Sequence, residues 1–444
     1  MTSPVPTGRA AAVVAVAAVV VAATVAAVGL DTWATVAVVV VTLVLVGVVD
    51  VLRAVAPAEI EVERSFPARL SVGDASELSW LVTNRSDRPT DVTVTDALWP
   101  SFGASRRSST FHLDARRRHR FTATIAPSRR GRFPLDALTV RTTGPLGLVH
   151  RQQTRTLADS LAVLPAYPSR ELMSRRMRIP LESGLRSVRQ RGTGTDFDQL
   201  REYRPGDDIR RIDWAGTARR RTAIVREYRT ERNQNVVSLL DNGRIMAGSV
   251  AGVPRVEHAM DAVLGLSQVA GRLGDNVGLV TFDRQVRGIV PAADGRSQFS
   301  RIAEAMYLLD TSYAESAYRT AFTTAASRFR RRSLFVVHTD LAQGVVVDSL
   351  LPAVRSLTRT HLVMVAAVRD PDLVDWATGS GTSAAMSESD VAYRAAAASA
   401  SLSARELAVA RLSAAGVVVV DARPGELATA VVDRYLELKA SGRL

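Results

Sequence analysis

Two apolar runs near the amino terminus constrain this chain most. Ala10 to Leu30 is 21 residues with no charge and no proline. At about 1.5 Å of rise per residue, such a helix crosses a hydrocarbon core of about 30 Å. Asp31-Thr32 follows, and Trp33 to Val49 is a second uncharged run of 17 residues. Trp33 suits the headgroup depth of a bilayer. Two spans joined by a tiny polar turn read as a transmembrane hairpin over residues 10–52. A cleaved signal peptide is the competing reading, allowed by the small residues at Ala22–Ala27. The first run is too long for a typical signal core, and the second follows at once. Arg9 before the first span, and Arg53 and Arg64 after the second, place both ends on the cytoplasmic side of a bacterial inner membrane.

The remaining chain has ample core material, since 47% of the 444 residues are hydrophobic. A wholly disordered chain is thereby excluded. With Cys 0, disulfides, thiolate zinc, iron–sulfur clusters and cysteine nucleophiles are excluded too. The net charge is +13, unevenly spread. Ser101 to Asn235 holds 29 Arg against 13 Asp and Glu, a local excess of +16. Phosphate, anionic lipid or an acidic protein could answer that excess. Arginine supplies nearly all of it, with Lys439 the sole lysine, which reads first as coding bias. The runs Arg116-Arg117-Arg118 and Arg219-Arg220-Arg221 come without a nucleic-acid recognition motif.

Residues 57–165 predict a small all-β, immunoglobulin-like sandwich. Ile60-Glu61-Val62-Glu63, Asp91-Val92-Thr93-Val94-Thr95 and Phe121-Thr122-Ala123-Thr124-Ile125 alternate with period two, between turn signals such as Gly144-Pro145. Over residues 166–235 periodicity fades and charge rises, which predicts a basic junction without clean helix or strand. Over residues 236–444 apolar strands alternate with helices. Val236–Leu240, Asn276–Phe282, Leu334–Val337 and Leu362–Val368 predict strands, and Val286–Val290 a hairpin partner of the second. Arg255–Leu273 and Leu427–Lys439 predict helices. The pattern implies an α/β domain with a mostly parallel sheet, whose sites lie beyond the carboxyl ends of the strands. Asp241 and Asp340 both fall on that edge.

The junction carries a long motif: Arg191-Gly192-Thr193-Gly194-Thr195-Asp196-Phe197-Asp198-Gln199-Leu200-Arg201-Glu202-Tyr203-Arg204-Pro205-Gly206-Asp207-Asp208-Ile209-Arg210-Arg211-Ile212-Asp213-Trp214, continuing to Ala218-Arg219. It closely resembles the signature of the bacterial "domain of unknown function 58" family. The resemblance implies a von Willebrand factor A-like α/β domain behind a membrane hairpin and a sandwich. It also implies a MoxR-type AAA+ ATPase as partner and an adaptor role toward client complexes at the cell envelope, with a client the sequence does not name. The interaction residues are then Arg201, Tyr203, Arg204, Gly206, Asp207, Arg210, Asp213, Trp214 and Arg219. Two readings of them stand open. The opposite charges can form an internal ion-pair network with Trp214 as apolar anchor, or the segment can be a docking face rich in arginine and aromatics.

Von Willebrand A-type domains often hold Mg²⁺ through Asp-x-Ser-x-Ser, a threonine and a second aspartate. Here Asp241 matches and Asp340 matches the later aspartate, but Gly243 and Ile245 replace both serines. Two carboxylates of a five-ligand pattern make a degenerate site, so no cofactor is expected, Mg²⁺ being the sole candidate. The alternative roles of Asp241 and Asp340 are helix capping or pairing with Arg244. Gly192-x-Gly194 lacks the third glycine and the strand that a dinucleotide loop needs. No HExxH, Walker A or Gly-x-Ser-x-Gly element occurs. His338 reads as a packed strand-end residue. The chain is therefore expected to be a non-enzymatic interaction protein. The alternatives are a membrane-surface enzyme acting on envelope precursors, or an outward-facing protein that binds cell-wall polymers.

Overall fold

The structure is a computed structural model describing residues 3–28, 32–175, 196–203, 209, 212–220, 222–229, 233–380 and 387–444. It forms two compact units, Met1–Leu164 and Pro165–Leu444.

In the first unit, helices Gly8–Val28 and Thr32–Arg53 are each long and apolar enough to cross a membrane. A β sandwich follows. One sheet is antiparallel, in the order Ser3–Pro6, Val149–Thr156, Ala137–Thr143, Thr90–Asp96 and Ser108–Leu113. The other joins Ile60–Ser65, Ser76–Asn84 and Arg118–Ile125. A small third sheet pairs Ser160–Leu164 with Arg69–Ser71 and Gly131–Pro134. Period-two alternation sends Leu78, Trp80 and Val82 from one sheet, and Val92 and Val94 from another, into a shared core. Trp80 stacks on Phe121 at 4.7 Å, and its indole N–H donates to Asp96 Oδ2 at 2.8 Å. Arg64 meets the same carboxylate at 2.9 Å, so the buried charge is paired.

The second apolar helix ends against the sandwich. A helix leaves its last carbonyls without partners, and here sandwich side chains bond the terminal Arg53 carbonyl and those of the chain just past it. Arg88 donates to the Arg53 carbonyl at 3.4 Å, Arg151 to Ala54 at 3.1 Å, Thr142 to Val55 at 2.7 Å, and Arg155 to Pro57. Asp50, fully buried, ties the helix in from its side. Its Oδ1 accepts from the Leu146 amide at 2.7 Å, and its Oδ2 from Leu148 and Val149 at 2.9 and 3.0 Å. At Gly144 a Cβ would lie 2.5 Å from this carboxylate, so the close approach requires glycine.

In the second unit a six-stranded sheet runs Val286–Ala293, Asn276–Phe282, Asn235–Asp241, Ser333–His338, Leu362–Val368, Val418–Ala422. All its pairings are parallel except that of the edge strand Val286–Ala293, which forms the expected hairpin with Asn276–Phe282. The central strands are apolar on both sides because helices cover both faces. Val237, Leu239, Phe335, Val337, Val363 and Val365 pack against Tyr318–Arg328, Leu351–Leu357 and Glu388–Ala414. Helices Arg255–Arg272 and Leu427–Ala440 pair with each other and pack on the same sheet.

The junction departs from expectation. Asp196–Glu202 and Ile224–Arg229 form an antiparallel pair, and Trp214–Arg220 is a short helix between them. Apolar residues in this pair are separated by arginines and acids, which hides the strand period from a hydropathy reading. Helix Pro371–Ala377 was likewise not signalled. Its seven residues start at an Asp370 cap and a proline, too few turns to show a period.

Candidate functional site

The junction motif and the strand that follows it form a strap, of which residues 196–203, 209, 212–220 and 222–229 are described. Arg201 lies opposite Val225 in the strand pair. Tyr203 donates its amide to the Ala223 carbonyl at 2.8 Å, and Asp213 to that of Ile224 at 2.8 Å. Thr217 closes the short helix onto the strand, its hydroxyl accepting from the Ile224 amide at 3.0 Å. Arg219 Nε donates to the Ala215 carbonyl at 3.2 Å. Arg204, Gly206, Asp207 and Arg210 lie outside the described residues. Trp214 corrects one reading: it is no buried anchor but 66% exposed, and Ile209 beside it in the motif is 64% exposed. The strap is pinned by main-chain bonds, which leaves these large side chains to solvent.

The carboxyl edge of the sheet holds a second cluster. Asp241 ends its strand fully buried. Its Oδ1 accepts from the Gly243 amide at 2.9 Å and from Ser316 Oγ at 2.5 Å. Its Oδ2 accepts from Tyr318 Oη and Thr339 Oγ1, each at 2.7 Å. Burial pushes the Asp241 carboxyl up, and these bonds hold it down only in part. Burial and the nearby Asp241 charge keep the Tyr318 phenol well above its ordinary value, so it remains a donor.

Asp340 has a different partner from the expected one. Arg244 pairs with Glu315 at 3.3 Å, not with Asp241 or Asp340. Asp340 instead meets Arg405 at 2.8 Å and Arg255 at 3.7 Å. Arg405 also donates to both oxygens of Asp421, at 3.1 and 2.8 Å, and to the Val368 carbonyl at 3.1 Å. Burial opposes the charged form of Arg405, but Asp421 and Asp340 outweigh it and hold the guanidinium above its ordinary value. The pair Asp241 and Asp340 therefore does not fit Mg²⁺. One carboxylate is filled by hydroxyl and amide donors, and the other by a cation of the chain itself. Among the described residues no three His, Asp or Glu side chains gather as a ligand set.

Ser316, Tyr318, Thr339 and Arg405 went unnoticed in the sequence. Thr339 adjoins Asp340 and could have been found from the strand end. Arg405 lies 65 residues further on and carries no motif.

His338 packs as expected, fully buried with Nε2 at 3.3 Å from Ser238 Oγ. Burial pulls its imidazole from 6.5 down to about 3. The unfolded chain therefore binds this proton first, and the stabilisation is complete above pH 6.5. It is lost on acidification, by about 1.4 kcal/mol per pH unit between 6.5 and 3. Asp241, with a raised pKa, acts in the opposite sense: its contribution is present in acid and lost as pH rises. Urea midpoints of the wild type and His338→Gln should therefore converge as pH falls from 6.5 to 4.5. Parallel curves would refute the assignment.

Several known proteins are similar to this chain. The Uncharacterized protein Rv1480 of Mycobacterium tuberculosis is 25% identical over 182 residues, covering 40% of this chain and 56% of that protein. The Uncharacterized protein YeaD of Bacillus subtilis is 24% identical over 224 residues, covering 50% and 51%. The chain thus spans about half the length of the curated relatives it matches. Among solved structures, the conserved hypothetical protein BatB from Bacteroides thetaiotaomicron aligns with a TM-score of 0.31 at 14% identity, over 46% of this chain and 98% of that one. The CARDB domain of PF1109 from Pyrococcus furiosus aligns at 0.17 and 14% identity, over 23% and 86%. From the strap to helix Pro371–Ala377, residues 199–377 match the family described as Protein of unknown function DUF58.

Proposed function

We propose that this chain is a membrane-anchored interaction protein whose docking face is the motif strap. Its α/β unit is read as von Willebrand factor A-like, and its sandwich as immunoglobulin-like. Its partner is a MoxR-type AAA+ ATPase, with which it serves the assembly or maturation of client complexes at the cell envelope. The observation that carries the reading is Trp214. A tryptophan two-thirds exposed on a backbone-pinned strap is the kind of side chain that forms an interface hot spot.

In this reading the two apolar helices cross the inner membrane as a hairpin, both ends on the cytoplasmic side. Strand pairing supports the hairpin. Ser3–Pro6, ahead of the first helix, pairs with Val149–Thr156 of the sandwich that follows the second. Both ends of the helix pair thus emerge at one domain. Arg9 and Arg53, flanking the spans, favour the cytoplasmic face.

The test is binding of the full-length, detergent-solubilised protein to a MoxR-type ATPase from the same bacterium. Trp214→Ala is expected to weaken binding about 30-fold, the loss of a hot spot of about 2 kcal/mol, with the thermal midpoint unchanged. Equal affinity in both proteins would move the docking face elsewhere. Turnover of a substrate by the purified protein alone would replace the reading with an enzymatic one.

A further inference from the structure

The end of the sandwich that grips the second apolar helix also has an outer surface. Asp50 follows the apolar run Trp33–Val49 directly and is its first charge, so its level marks where the uncharged run ends. Its carboxylate holds the Leu146 amide at 2.7 Å, which fixes the Pro145–Leu146 tip at the same level. Although the Leu146 backbone is clamped, its side chain is 52% exposed. Leu52, on the same turn of helix as Asp50, is exposed as well. An apolar tip held beside the end of an apolar helix continues that helix's surface.

Three arginines lie at this boundary. Arg9 begins the first helix, and its side chain lies against Gly147 of the same loop. Arg53 ends the second helix, and Arg88 reaches it from the sandwich through the Arg53 carbonyl. All three arginines are exposed. Asp50 is spent on three amides. The surface thus presents an apolar point within a cationic collar, at the boundary between an apolar helix pair and a folded domain.

We propose that this collar is a lipid contact, with Leu146 dipping into the bilayer interface and Arg9, Arg53 and Arg88 taking the headgroup phosphates of anionic phospholipid. The inference rests on the reading that the two helices cross a bilayer. Cations at a membrane surface attract anionic lipid, and arginine offers phosphate two parallel donors. The clamp at Asp50 makes the contact rigid, so the sandwich sits on the membrane instead of swinging from it.

The chain has no cysteine, so single nitroxide labels can be placed without background. Full-length Val40→Cys, Leu146→Cys and Thr122→Cys variants, labelled and reconstituted in phosphatidylcholine–phosphatidylglycerol vesicles, report depth through oxygen and nickel-chelate accessibility. The label at 40 should report hydrocarbon, at 146 the interface, and at 122, on an exposed sandwich position, water. An aqueous signal at 40 would sink the bilayer reading itself. Hydrocarbon at 40 with water at 146 would sink the lipid contact alone. In a second arm, spin-labelled phosphatidylglycerol should be immobilised by the wild type in preference to spin-labelled phosphatidylcholine. Each arginine is worth about five-fold in local partition. The Arg9→Gln, Arg53→Gln, Arg88→Gln triple variant should bring the two lipids close to equality. Equal immobilisation by the wild type overturns the proposal.

Discussion

Asp50→Ala is expected to abolish exchange protection at the Leu146, Leu148 and Val149 amides and to lower the stability of the Met1–Leu164 unit by roughly 3–6 kcal/mol. The size follows from the donors left behind. A buried N–H without an acceptor costs about 1–3 kcal/mol, and Asp50 accepts from three that are only part-buried, about 1–2 kcal/mol each. Protection should fall at least 100-fold, since each 1.4 kcal/mol is about a factor of ten. Asp50→Asn keeps one acceptor oxygen but turns an NH₂ toward amides, so it should lose nearly as much. Gly144→Ala attacks the same contact by volume. Its Cβ would sit 2.5 Å from the carboxylate, and overpacking of this kind costs about 1–3 kcal/mol. The check is hydrogen exchange on the full-length protein in detergent, read peptide by peptide. Unchanged protection at residues 144–149 in Asp50→Ala would mean that the carboxylate does not hold the loop. Strands remote from the clamp, such as Arg118–Ile125, serve as the internal reference.

Nothing in the sequence marks Asp50 for this role. It stands at the end of an apolar run, where a lone acid reads as the membrane boundary. The loop it binds lies about a hundred residues away, in a turn recognised only by Gly144-Pro145. Period-two and 3.6-residue patterns report which face of an element is buried, and they do so well here. The alternation of Asp91-Val92-Thr93-Val94-Thr95 placed a sandwich strand, and the unbroken Val236–Leu240 placed a central parallel strand. The hairpin of Asn276–Phe282 with Val286–Ala293 followed from a short turn between two apolar runs. Patterns of this kind carry no information about which polar side chain meets which distant backbone group.

The candidate site divides along the same line. Asp241 and Asp340 were visible because each terminates an apolar strand, where a doubly wound sheet exposes its working edge. Their partners were invisible, because Ser316, Tyr318 and Arg405 come from helices and loops whose own sequences fit any surface. Gly243 and Ile245 stand where the metal-binding pattern has hydroxyl residues. That Arg405 neutralises Asp340 required the packing of helix Glu388–Ala414. In the strap, opposite charges left two readings open, an internal ion-pair network with Trp214 as apolar anchor and a docking face. Strand pairing holds Asp196–Glu202 against Ile224–Arg229, so burial of the tryptophan is not needed there, and most charges of the network reading lie outside the described residues.

Arg405→Leu should be the most damaging single change in the Pro165–Leu444 unit, at about 3–5 kcal/mol, the cost of breaking a buried ion pair from one side. The guanidinium joins three strand ends: Asp340 after one, the Val368 carbonyl on the next, and Asp421 on the edge strand. Its loss leaves Asp340 with Arg255 at 3.7 Å and Asp421 with Arg369 at 3.0 Å, each a poorer match than before. A change of 1 kcal/mol moves the midpoint of a unit this size by about 2–4 °C, so a drop of roughly 6–20 °C is expected in thermal unfolding of the detergent-solubilised protein. Arg405→Lys, a point charge without the fork, should recover no more than about half of the loss. Combining Arg405→Leu with Asp340→Asn and Asp421→Asn removes the stranded charges and should restore most of it, because a buried pair is costly to break from one side but cheap to replace whole. Millimolar Mg²⁺ or a chelator should leave the wild-type midpoint where it is, since the chain's own cation already answers Asp340. A midpoint that climbs with Mg²⁺ and loses that response in Asp241→Ala would show that the ion displaces these contacts, and the arginine would then be a reversible stand-in for the metal.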